Sequence, residues 1–114
     1  MSGMKILCVE DQAEDMAILT AALEGIGYEV MPANNGGQAI DLLTNQRIDG
    51  VLLEYNLPDA TGTALRAKLK AIRPDVPVLL FAGVGSQTPF ILRFLDAYLR
   101  NAERFGDELG DLDI

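Results

Sequence analysis

The sequence predicts a doubly wound α/β fold, in which helices cover both faces of a parallel sheet. Short apolar runs alternate along the chain with longer stretches whose apolar residues recur at helical spacing. Two of these runs end at acidic residues, Glu10 and Asp11 after the first and Glu54 in the third. The length of 114 residues fits one domain with a sizeable core. We therefore expect a single domain over residues 1–114.

The first half of the chain predicts two strands and two helices. Residues 5–9 form a five-residue apolar run, which indicates a strand buried on both faces. Helical spacing follows over residues 13–26. Residues 28–31 predict a second strand, and we expect Pro32 to end it. A glycine-rich turn and a short helix around residues 39–43 come next.

The next segment repeats the same alternation. Residues 50–55 predict a third strand, followed by a loop at residues 56–59. The spacing over residues 65–72 predicts a helix that ends before Pro74, and residues 76–81 predict a fourth strand. The alternation predicts βαβ units and a flavodoxin-like sandwich with at least four parallel strands.

The last third has two interpretations. Thr88 is a good helix cap and Pro89 a good first helical residue, and no glycine or proline interrupts residues 90–105. The favoured interpretation is one long helix that replaces the fifth strand. The alternative breaks the helix near Asp96 and makes Ala97–Arg100 a short fifth strand. The apolar face of the long helix is formed by Ile91, Phe94, Leu95, Tyr98, Ala102 and Phe105.

The two ends of the chain carry little information on function. Residues 1–3 precede a second methionine and have the composition of an expression scar. Residues 107–114 predict a frayed acidic tail. No apolar run approaches the ~18 residues of a membrane span, and no signal peptide is recognisable, so we expect a cytoplasmic protein.

The composition excludes several classes of function. Nine basic residues against 17 acidic ones give a net charge of −8, which argues against a nucleic-acid surface. The absence of histidine excludes a Ser-His-Asp triad, a histidine base and a phosphohistidine within these residues. The single cysteine, Cys8, cannot form an internal disulfide. We therefore do not expect an enzyme.

The acids at the strand ends predict a metal site. Parallel neighbouring strands bring Glu10, Asp11 and Glu54 to the same edge of the sheet. Converging carboxylates are unfavourable unless one is protonated or a cation lies among them. A hard ion such as Mg²⁺ suits oxygen ligands of this kind. The alternative is that the acids are solvated at an open sheet edge.

These residues resemble the response-regulator receiver domain. The resemblance covers residues 4–85 in order and spacing, and the stretch Pro77–Gly85 further resembles the alphaproteobacterial single-domain receivers with a "FAT GUY" signature. It implies a bacterial two-component phosphorelay, in which an aspartate at the end of the third strand takes a phosphoryl group from a partner's phosphohistidine with bound Mg²⁺. The matching segments are Ile6–Asp11, Gly27–Val30, Ala33–Gly36 and Val51–Gly62.

The resemblance assigns roles by position. Glu10 and Asp11 match the acidic pair that holds the metal, and the backbone carbonyl of Asn56 matches a further ligand. Glu54 occupies the phosphoacceptor position, where the family has aspartate. It adds its carboxylate to the metal site, so the implied Mg²⁺ site consists of Glu10, Asp11, Glu54 and Asn56.

Other parts of the family machinery are missing. Ala82 stands where the family has a threonine or serine that grips the phosphoryl group. No Lys-Pro pair supplies the lysine of the fifth strand. If a fifth strand forms at residues 97–100, Asn101 falls at the lysine position and Tyr98 at the switch aromatic. An acyl phosphate on Glu54 would lie one methylene, roughly 1.5 Å, too far out.

The combined interpretation is an atypical receiver that acts by protein–protein contact and does not accept phosphate. Glu54 then either imitates part of the phosphorylated state or is a neutral loss in a retained scaffold. The alternatives are a working phosphoacceptor with weak Mg²⁺-dependent phosphorylation, on Glu54 or Asp59, and a small phosphate- or flavin-binding protein of the same fold. The second alternative lacks a glycine-rich loop after the first strand.

The last helix predicts a partner contact. Leu92 and Leu99 lie off its main apolar face, and a helix that is apolar on more than one side indicates burial against another protein or a second copy. A histidine kinase or another regulator is the expected partner, and a homodimer through this helix is the alternative. The predicted contact residues are Ile91, Leu92, Phe94, Leu95, Tyr98 and Leu99.

Overall fold

The protein folds as a five-stranded parallel sheet with helices on both faces. The computed structural model describes residues 3–100 and the backbone of residues 112–113. The strand order is β2-β1-β3-β4-β5, so the predicted doubly wound fold is confirmed. In chain order the elements are β1 (Lys5–Val9), α1 (Ala13–Gly25), β2 (Glu29–Ala33), α2 (Gly36–Asn45), β3 (Gly50–Glu54), α3 (Gly62–Ile72), β4 (Val78–Phe81), α4 (Thr88–Arg100) and β5 (Leu112–Asp113).

The central strands are buried on both faces, as their continuous apolar runs predict. Every residue of β3 and β4 is buried, and β1 is buried from Ile6 onward. The strand β2 lies at the edge of the sheet, and of its five residues only Ala33 is fully buried. The expectation that Pro32 ends β2 is wrong, because the strand continues to Ala33 with Pro32 opposite Cys8. An edge strand tolerates proline, since its outer side forms no ladder hydrogen bonds.

Two separate apolar cores lie on the two faces of the sheet. The α2–α3 core contains Leu43 and Leu69 from the helices, packed on Leu53 and Leu80 of the sheet. The α1–α4 core contains Leu19 and Leu23 of α1, Leu95 of α4 and alternate residues of β1, β3 and β4. Burial of each side chain of this size stabilises the folded state by on the order of 2 kcal/mol.

Helix α4 lies on the same face as α1. In the sheet, β4 lies beside β3, and β5 lies beside β4 on the side away from β3. Right-handed crossover connections between these parallel strands would place α4 on the same face of the sheet as α2 and α3. Instead, α4 packs on the opposite face, where the Tyr28 hydroxyl donates a hydrogen bond to the carboxylate of Asp96. Arg100 Nε donates to both oxygens of the same carboxylate at 3.0 Å. Asp96 thereby joins α4 to the start of β2.

The structure decides between the two interpretations of the last third. Helix α4 continues through residues 97–100, so the alternative fifth strand at Ala97–Arg100 is wrong. A fifth strand does form, at Leu112–Asp113, and it pairs with Leu79 and Leu80 of β4. The sequence instead predicts a frayed tail there. Without β5, the apolar strand β4 would be an unpaired edge of the sheet. Pairing with Leu112–Asp113 covers that edge. Residues 101–111 and 114 lie outside the described residues.

The predicted contact residues of α4 are mostly core residues. Leu92 and Leu99 are each 5% exposed and pack in the α1–α4 core, so the prediction that they lie on an outer face is wrong. Phe94 is 40% exposed, although the sequence places it on the core face. The helix packs against both the sheet and the neighbouring helix α1 and therefore buries a wide stripe that includes both leucines. Ile91, Leu95 and Tyr98 are buried in the same stripe.

Among the described residues, no helix is long and apolar enough to cross a lipid bilayer.

The start of α3 predicts a strict requirement for glycine. A Cβ on Gly62 would lie 2.8 Å from the Cα of Tyr55 and 3.1 Å from the carbonyl oxygen of Glu54. We expect Gly62→Ala to lower the free energy of unfolding by about 2–3 kcal/mol, because the β3–α3 loop must move away. Urea denaturation measures this change. Gly25→Ala is the control, since a Cβ on Gly25 meets nothing within 4 Å and should change stability by less than about 1 kcal/mol. Equal effects of the two substitutions would contradict the prediction.

Candidate functional site

The candidate site lies at the carboxyl edge of the sheet, where β1 and β3 end side by side. Val9 pairs with Leu53 in the parallel register, so the next residues, Glu10 and Glu54, stand at the same level. Both acids are buried, at 2% and 6% exposure. The structure thus brings together two of the three predicted carboxylates in a place with little water.

Glu10 is held by the backbone and has one free oxygen. Its Oε2 accepts a hydrogen bond from the N–H of Gln12 at 3.0 Å, and its own N–H donates to the carbonyl of Ala33 at 2.9 Å. Its Oε1 is buried and has no hydrogen-bond partner among the described residues. A buried acceptor without a partner costs about 1–3 kcal/mol unless a proton or a cation satisfies it.

The pKa of Glu10 reflects this environment. Burial raises it from 4.5 to about 7, against the opposing effect of the hydrogen bond from Gln12. The negative charge of Glu54 raises it further, and Asp11 and Asp15 add smaller contributions in the same direction. Near neutral pH, Glu10 therefore carries a proton in part of the molecules, unless a cation takes the place of that proton.

Glu54 connects the end of β3 to the loop that follows β4. The N–H of Gly83 donates to Oε2 of Glu54 at 2.9 Å, and the N–H of Asn56 lies 3.4 Å from Oε1. Gly83 has a φ of +83°, a conformation that glycine adopts without strain. We call this contact the Glu54–Gly83 hydrogen bond. The sequence predicted a role for Glu54 but did not identify the N–H of Gly83 as its hydrogen-bond donor.

The remaining predicted ligands lie at the rim. Asp11 is partly buried and accepts a hydrogen bond from the side-chain amide of Gln12 at 3.0 Å. Asn56 is exposed in the β3–α3 loop and forms an isolated bridge with Thr61. Among residues 3–100, no three or more carboxylate, thiol or imidazole side chains are arranged as a metal site. The oxygen chemistry suits Mg²⁺, and the free Oε1 of Glu10 is an available ligand, but the described arrangement contains no complete cluster.

The resemblance assigned switch positions to Ala82, Tyr98 and Asn101. Ala82 is exposed at the end of β4 and offers no hydroxyl. Tyr98 is buried in α4, because the fifth strand that would place it at the switch position forms at Leu112–Asp113. Asn101, the predicted substitute for the lysine, lies outside the described residues.

Asp59 has a structural role that the sequence did not reveal. Its two carboxylate oxygens accept hydrogen bonds from the N–H groups of Gly36 and Gly37, at 2.9 Å and 3.2 Å. These donors begin α2, so Asp59 caps that helix from the β3–α3 loop. The Gly36 N–H is the main cause of the lowered pKa of Asp59. The loop that carries Asn56 is thereby fixed against α2.

Comparison with known sequences gives one consistent result. The profile of the response regulator receiver domain matches residues 6–101. Sporulation initiation phosphotransferase F of Bacillus subtilis is 33% identical over 85 residues, which cover 75% of this chain and 68% of that protein. The transcriptional regulatory protein ZraR of Escherichia coli K12 is 37% identical over 84 residues. That match covers 74% of this chain but only 19% of ZraR, so this chain spans about a fifth of that relative.

Comparison with solved structures agrees with the sequences. A CheY-like receiver domain of Methanospirillum hungatei JF-1 has a TM-score of 0.72 and 26% identity, covering 99% of this chain and 81% of that one. The receiver domain of the sensor histidine kinase PA1611 of Pseudomonas aeruginosa PAO1, solved with magnesium in its active-site cleft, has a TM-score of 0.73. It is 24% identical and covers 86% of this chain and 95% of its own, which supports the fold.

The raised pKa of Glu10 predicts a specific pH dependence of stability. The folded state keeps the Glu10 proton up to about pH 7, whereas the unfolded chain loses it near 4.5. Stability without metal therefore falls as pH rises through this window. We expect Glu10→Gln to stabilise the protein by about 1–3 kcal/mol at pH 8 in EDTA and to have little effect near pH 4.5.

Urea denaturation at several pH values measures this dependence. Glu24→Gln, which removes an exposed acid of α1, gives the baseline for losing a surface carboxylate. A pH slope that is the same in the Glu10→Gln variant and the wild type would contradict the assignment.

Proposed function

Because this chain belongs to the response regulator receiver domain family, we propose that it serves two-component signalling as an atypical receiver that does not accept a phosphoryl group. Its output is then contact with another protein. The observation that carries this proposal is the Glu54–Gly83 hydrogen bond of 2.9 Å, which already occupies the acceptor side chain. We do not assign an enzymatic activity to it.

The environment of Glu54 argues against phosphorylation. An attacking carboxylate oxygen must be free and must approach the phosphorus in line, and here both oxygens face backbone N–H groups. The side chain is 6% exposed, which restricts access of a phosphodonor. Glutamate also carries its oxygens one methylene, roughly 1.5 Å, farther out than the aspartate of the family. With Ala82 nearby, no hydroxyl stabilises the transferred group.

The same contacts support a phosphomimetic role. A phosphorylated aspartate extends negative oxygens from the end of β3 toward the end of β4, and Glu54 does this with its longer side chain. It carries one negative charge where a phosphoryl group carries almost two. The Glu54–Gly83 hydrogen bond holds the β4–α4 loop against β3 without any covalent modification. The domain is therefore fixed in one signalling state.

A weak Mg²⁺ site is part of the proposal. Glu10, Asp11, Glu54 and the carbonyl of Asn56 would hold the ion, and the free Oε1 of Glu10 supports this choice. The cation would neutralise the two buried glutamates and replace the proton on Glu10. Because Glu54 also accepts hydrogen bonds from the backbone, we expect weaker binding than at a site with all carboxylates free.

A working phosphoacceptor receives less support from the structure. Asp59 is the other candidate acceptor in this loop, and both of its oxygens are engaged by the N-terminus of α2. Phosphorylation there would remove the cap of α2. The acids that follow β1, where a glycine-rich loop would be needed, argue against the phosphate- or flavin-binding alternative.

The partner is then another signalling protein, a histidine kinase or a second regulator, in the cytoplasm. The predicted contact through Ile91, Leu92, Leu95, Tyr98 and Leu99 needs correction, because these side chains are core residues. Phe94, the sixth predicted contact residue, remains available, at 40% exposure. A partner contact on α4 must use its outer side.

The proposal predicts a distinct response to phosphate analogues. In ¹H–¹⁵N spectra of the wild type, we expect Mg²⁺ to shift amides near residues 10, 11, 54 and 56, and beryllofluoride to add nothing. Intact mass after incubation with acetyl phosphate and Mg²⁺ should show no phosphoryl adduct. Glu54→Asp is the matched control, since it restores the acceptor at its usual length. Beryllofluoride shifts in the wild type that spread to β4 and α4 would show that the switch still works.

The Glu54–Gly83 hydrogen bond predicts a local protection from exchange. A hydrogen bond to a charged acceptor contributes about 1.5 kcal/mol or more, so Glu54→Ala should speed hydrogen exchange at the Gly83 amide by about tenfold. Glu54→Gln keeps an acceptor oxygen and should have a smaller effect. NMR-detected exchange measures both, and the Gly36 amide, which Asp59 binds, is the internal control. An unchanged rate at Gly83 would refute the role of this contact.

A further inference from the structure

We propose that Asp59 is a positioning residue for the Mg²⁺ site and acts through the turn between β2 and α2. We define the β2–α2 turn as residues 33–37. The inference rests on the proposed function, because Glu10 and Asn56 are two of the ligands proposed there. Asp59 is not among those ligands, since both of its oxygens accept hydrogen bonds from the start of α2.

The β2–α2 turn joins the two parts of the chain that carry these ligands. Its first residue, Ala33, accepts a hydrogen bond from the N–H of Glu10 at 2.9 Å. Its last two residues, Gly36 and Gly37, donate to the carboxylate of Asp59 at 2.9 Å and 3.2 Å. The turn therefore contacts the chain directly after β1 at one end and the β3–α3 loop at the other.

The strand order shows why this connection matters for the site. Strand β1 lies between β2 and β3, so β2 and β3 form no ladder with each other. Two strand spacings, about 10 Å, separate them. The hydrogen bonds to Asp59 therefore connect the chain on either side of β1, whose end carries Glu10. They close a ring of contacts that runs from Glu10 through the β2–α2 turn and the β3–α3 loop to Glu54.

The β3–α3 loop carries Asn56 between its base and Asp59. At the base, the N–H of Gly62 donates to the carbonyl of Tyr55 at 2.6 Å. Farther along the loop, Leu57 packs on the α2–α3 core. Asp59 adds two hydrogen bonds from the middle of the loop to α2. These contacts limit how far the Asn56 carbonyl can move relative to the end of β1.

The contact between Asp59 and α2 depends on a close approach to glycine. A Cβ on Gly36 would lie 3.3 Å from each carboxylate oxygen of Asp59 and 3.3 Å from Cδ1 of Leu65. These distances are shorter than ordinary van der Waals contact. The missing side chain at Gly36 therefore lets one carboxylate reach the N–H groups of two successive residues.

A residue that orients metal ligands changes the affinity without touching the ion. Loss of such a partner typically lowers metal affinity by about 10–100-fold. Mg²⁺ is sensitive to such displacement, because it requires nearly ideal octahedral geometry. Asn56 lies on an exposed loop, so the place of its carbonyl depends on the contacts of that loop. We therefore expect Asp59 to raise the Mg²⁺ affinity of the site.

Mg²⁺ titrations of the full chain, followed in ¹H–¹⁵N spectra, test the proposal. Asp59→Ala should weaken Mg²⁺ binding about tenfold. Asp59→Asn removes the same charge but keeps an acceptor oxygen for the N–H of Gly36, so it should weaken binding by no more than about threefold. The difference between the two variants separates the hydrogen bonds of Asp59 from its charge.

Lys70→Met controls for a loss of stability alone. The Nζ of Lys70 donates to the carbonyls of Pro74 and Val76 at 2.9 Å and 3.0 Å, at the opposite end of α3 from the loop. This substitution should destabilise the protein, as Asp59→Ala does, and leave the Mg²⁺ affinity within about twofold of the wild type. Urea denaturation compares the stability of the two variants.

A second measurement needs no metal. In EDTA, Asp59→Ala should speed hydrogen exchange at the Glu10 amide by about threefold or more, because the β2–α2 turn that binds this amide loses its anchor. Lys70→Met should leave the exchange at Glu10 unchanged relative to the other amides of β1.

A Mg²⁺ affinity that Asp59→Ala leaves unchanged would overturn the proposal. Equal losses in Asp59→Ala and Asp59→Asn would also overturn it, because they would reduce the effect to charge. A wild type that binds no Mg²⁺ would overturn both the proposed metal site and this role of Asp59, whereas wild-type binding that survives Asp59→Ala would overturn only the latter. None of these results depends on whether Glu54 accepts phosphate.

Discussion

The site depends on two carboxylates that the fold forces into close proximity in a buried place. Parallel pairing of β1 and β3 aligns Val9 with Leu53, so Glu10 and Glu54 leave the sheet at the same level. Their burial at 2% and 6% exposure makes two full charges unfavourable. A proton on Glu10, backbone N–H donors and a cation can each reduce this cost. The pKa of Glu10 rises to about 7, and Glu54 accepts a hydrogen bond from the N–H of Gly83.

The Glu54–Gly83 hydrogen bond connects this electrostatic constraint to the outer surface. Gly83 is followed by Val84 and Gly85, which line a groove between α1 and α4. The Glu54 carboxylate holds one end of this loop, and Thr88 at the start of α4 holds the other, where its Oγ1 accepts a hydrogen bond from the N–H of Gly85 at 2.8 Å.

The placement of α4 also shapes what the protein presents to others. On the α1 face, its leucines complete the second core, and its phenylalanines and Arg93 point outward beside an acidic helix. The hydrogen bonds from Tyr28 and Arg100 to Asp96 hold the helix there. The outer surface of this layer therefore combines exposed aromatic groups with adjacent opposite charges, a combination that neither helix has alone.

The sequence by itself determined the βαβ order, the four central strands and the three acids at their ends, because buried parallel strands and amphipathic helices have distinct periods. The family resemblance added the roles of Glu10, Asp11, Asn56 and Glu54. Only the tertiary structure decided which side of α4 is buried. The sequence leaves this open because apolar residues such as Ile91, Leu92 and Phe94 lie on more than one side of the helix. The structure also revealed that the N–H of Gly83 donates to Glu54 and that Asp59 caps α2. The sequence does not show such contacts, because almost every residue has a backbone N–H and its partner depends on how distant segments meet.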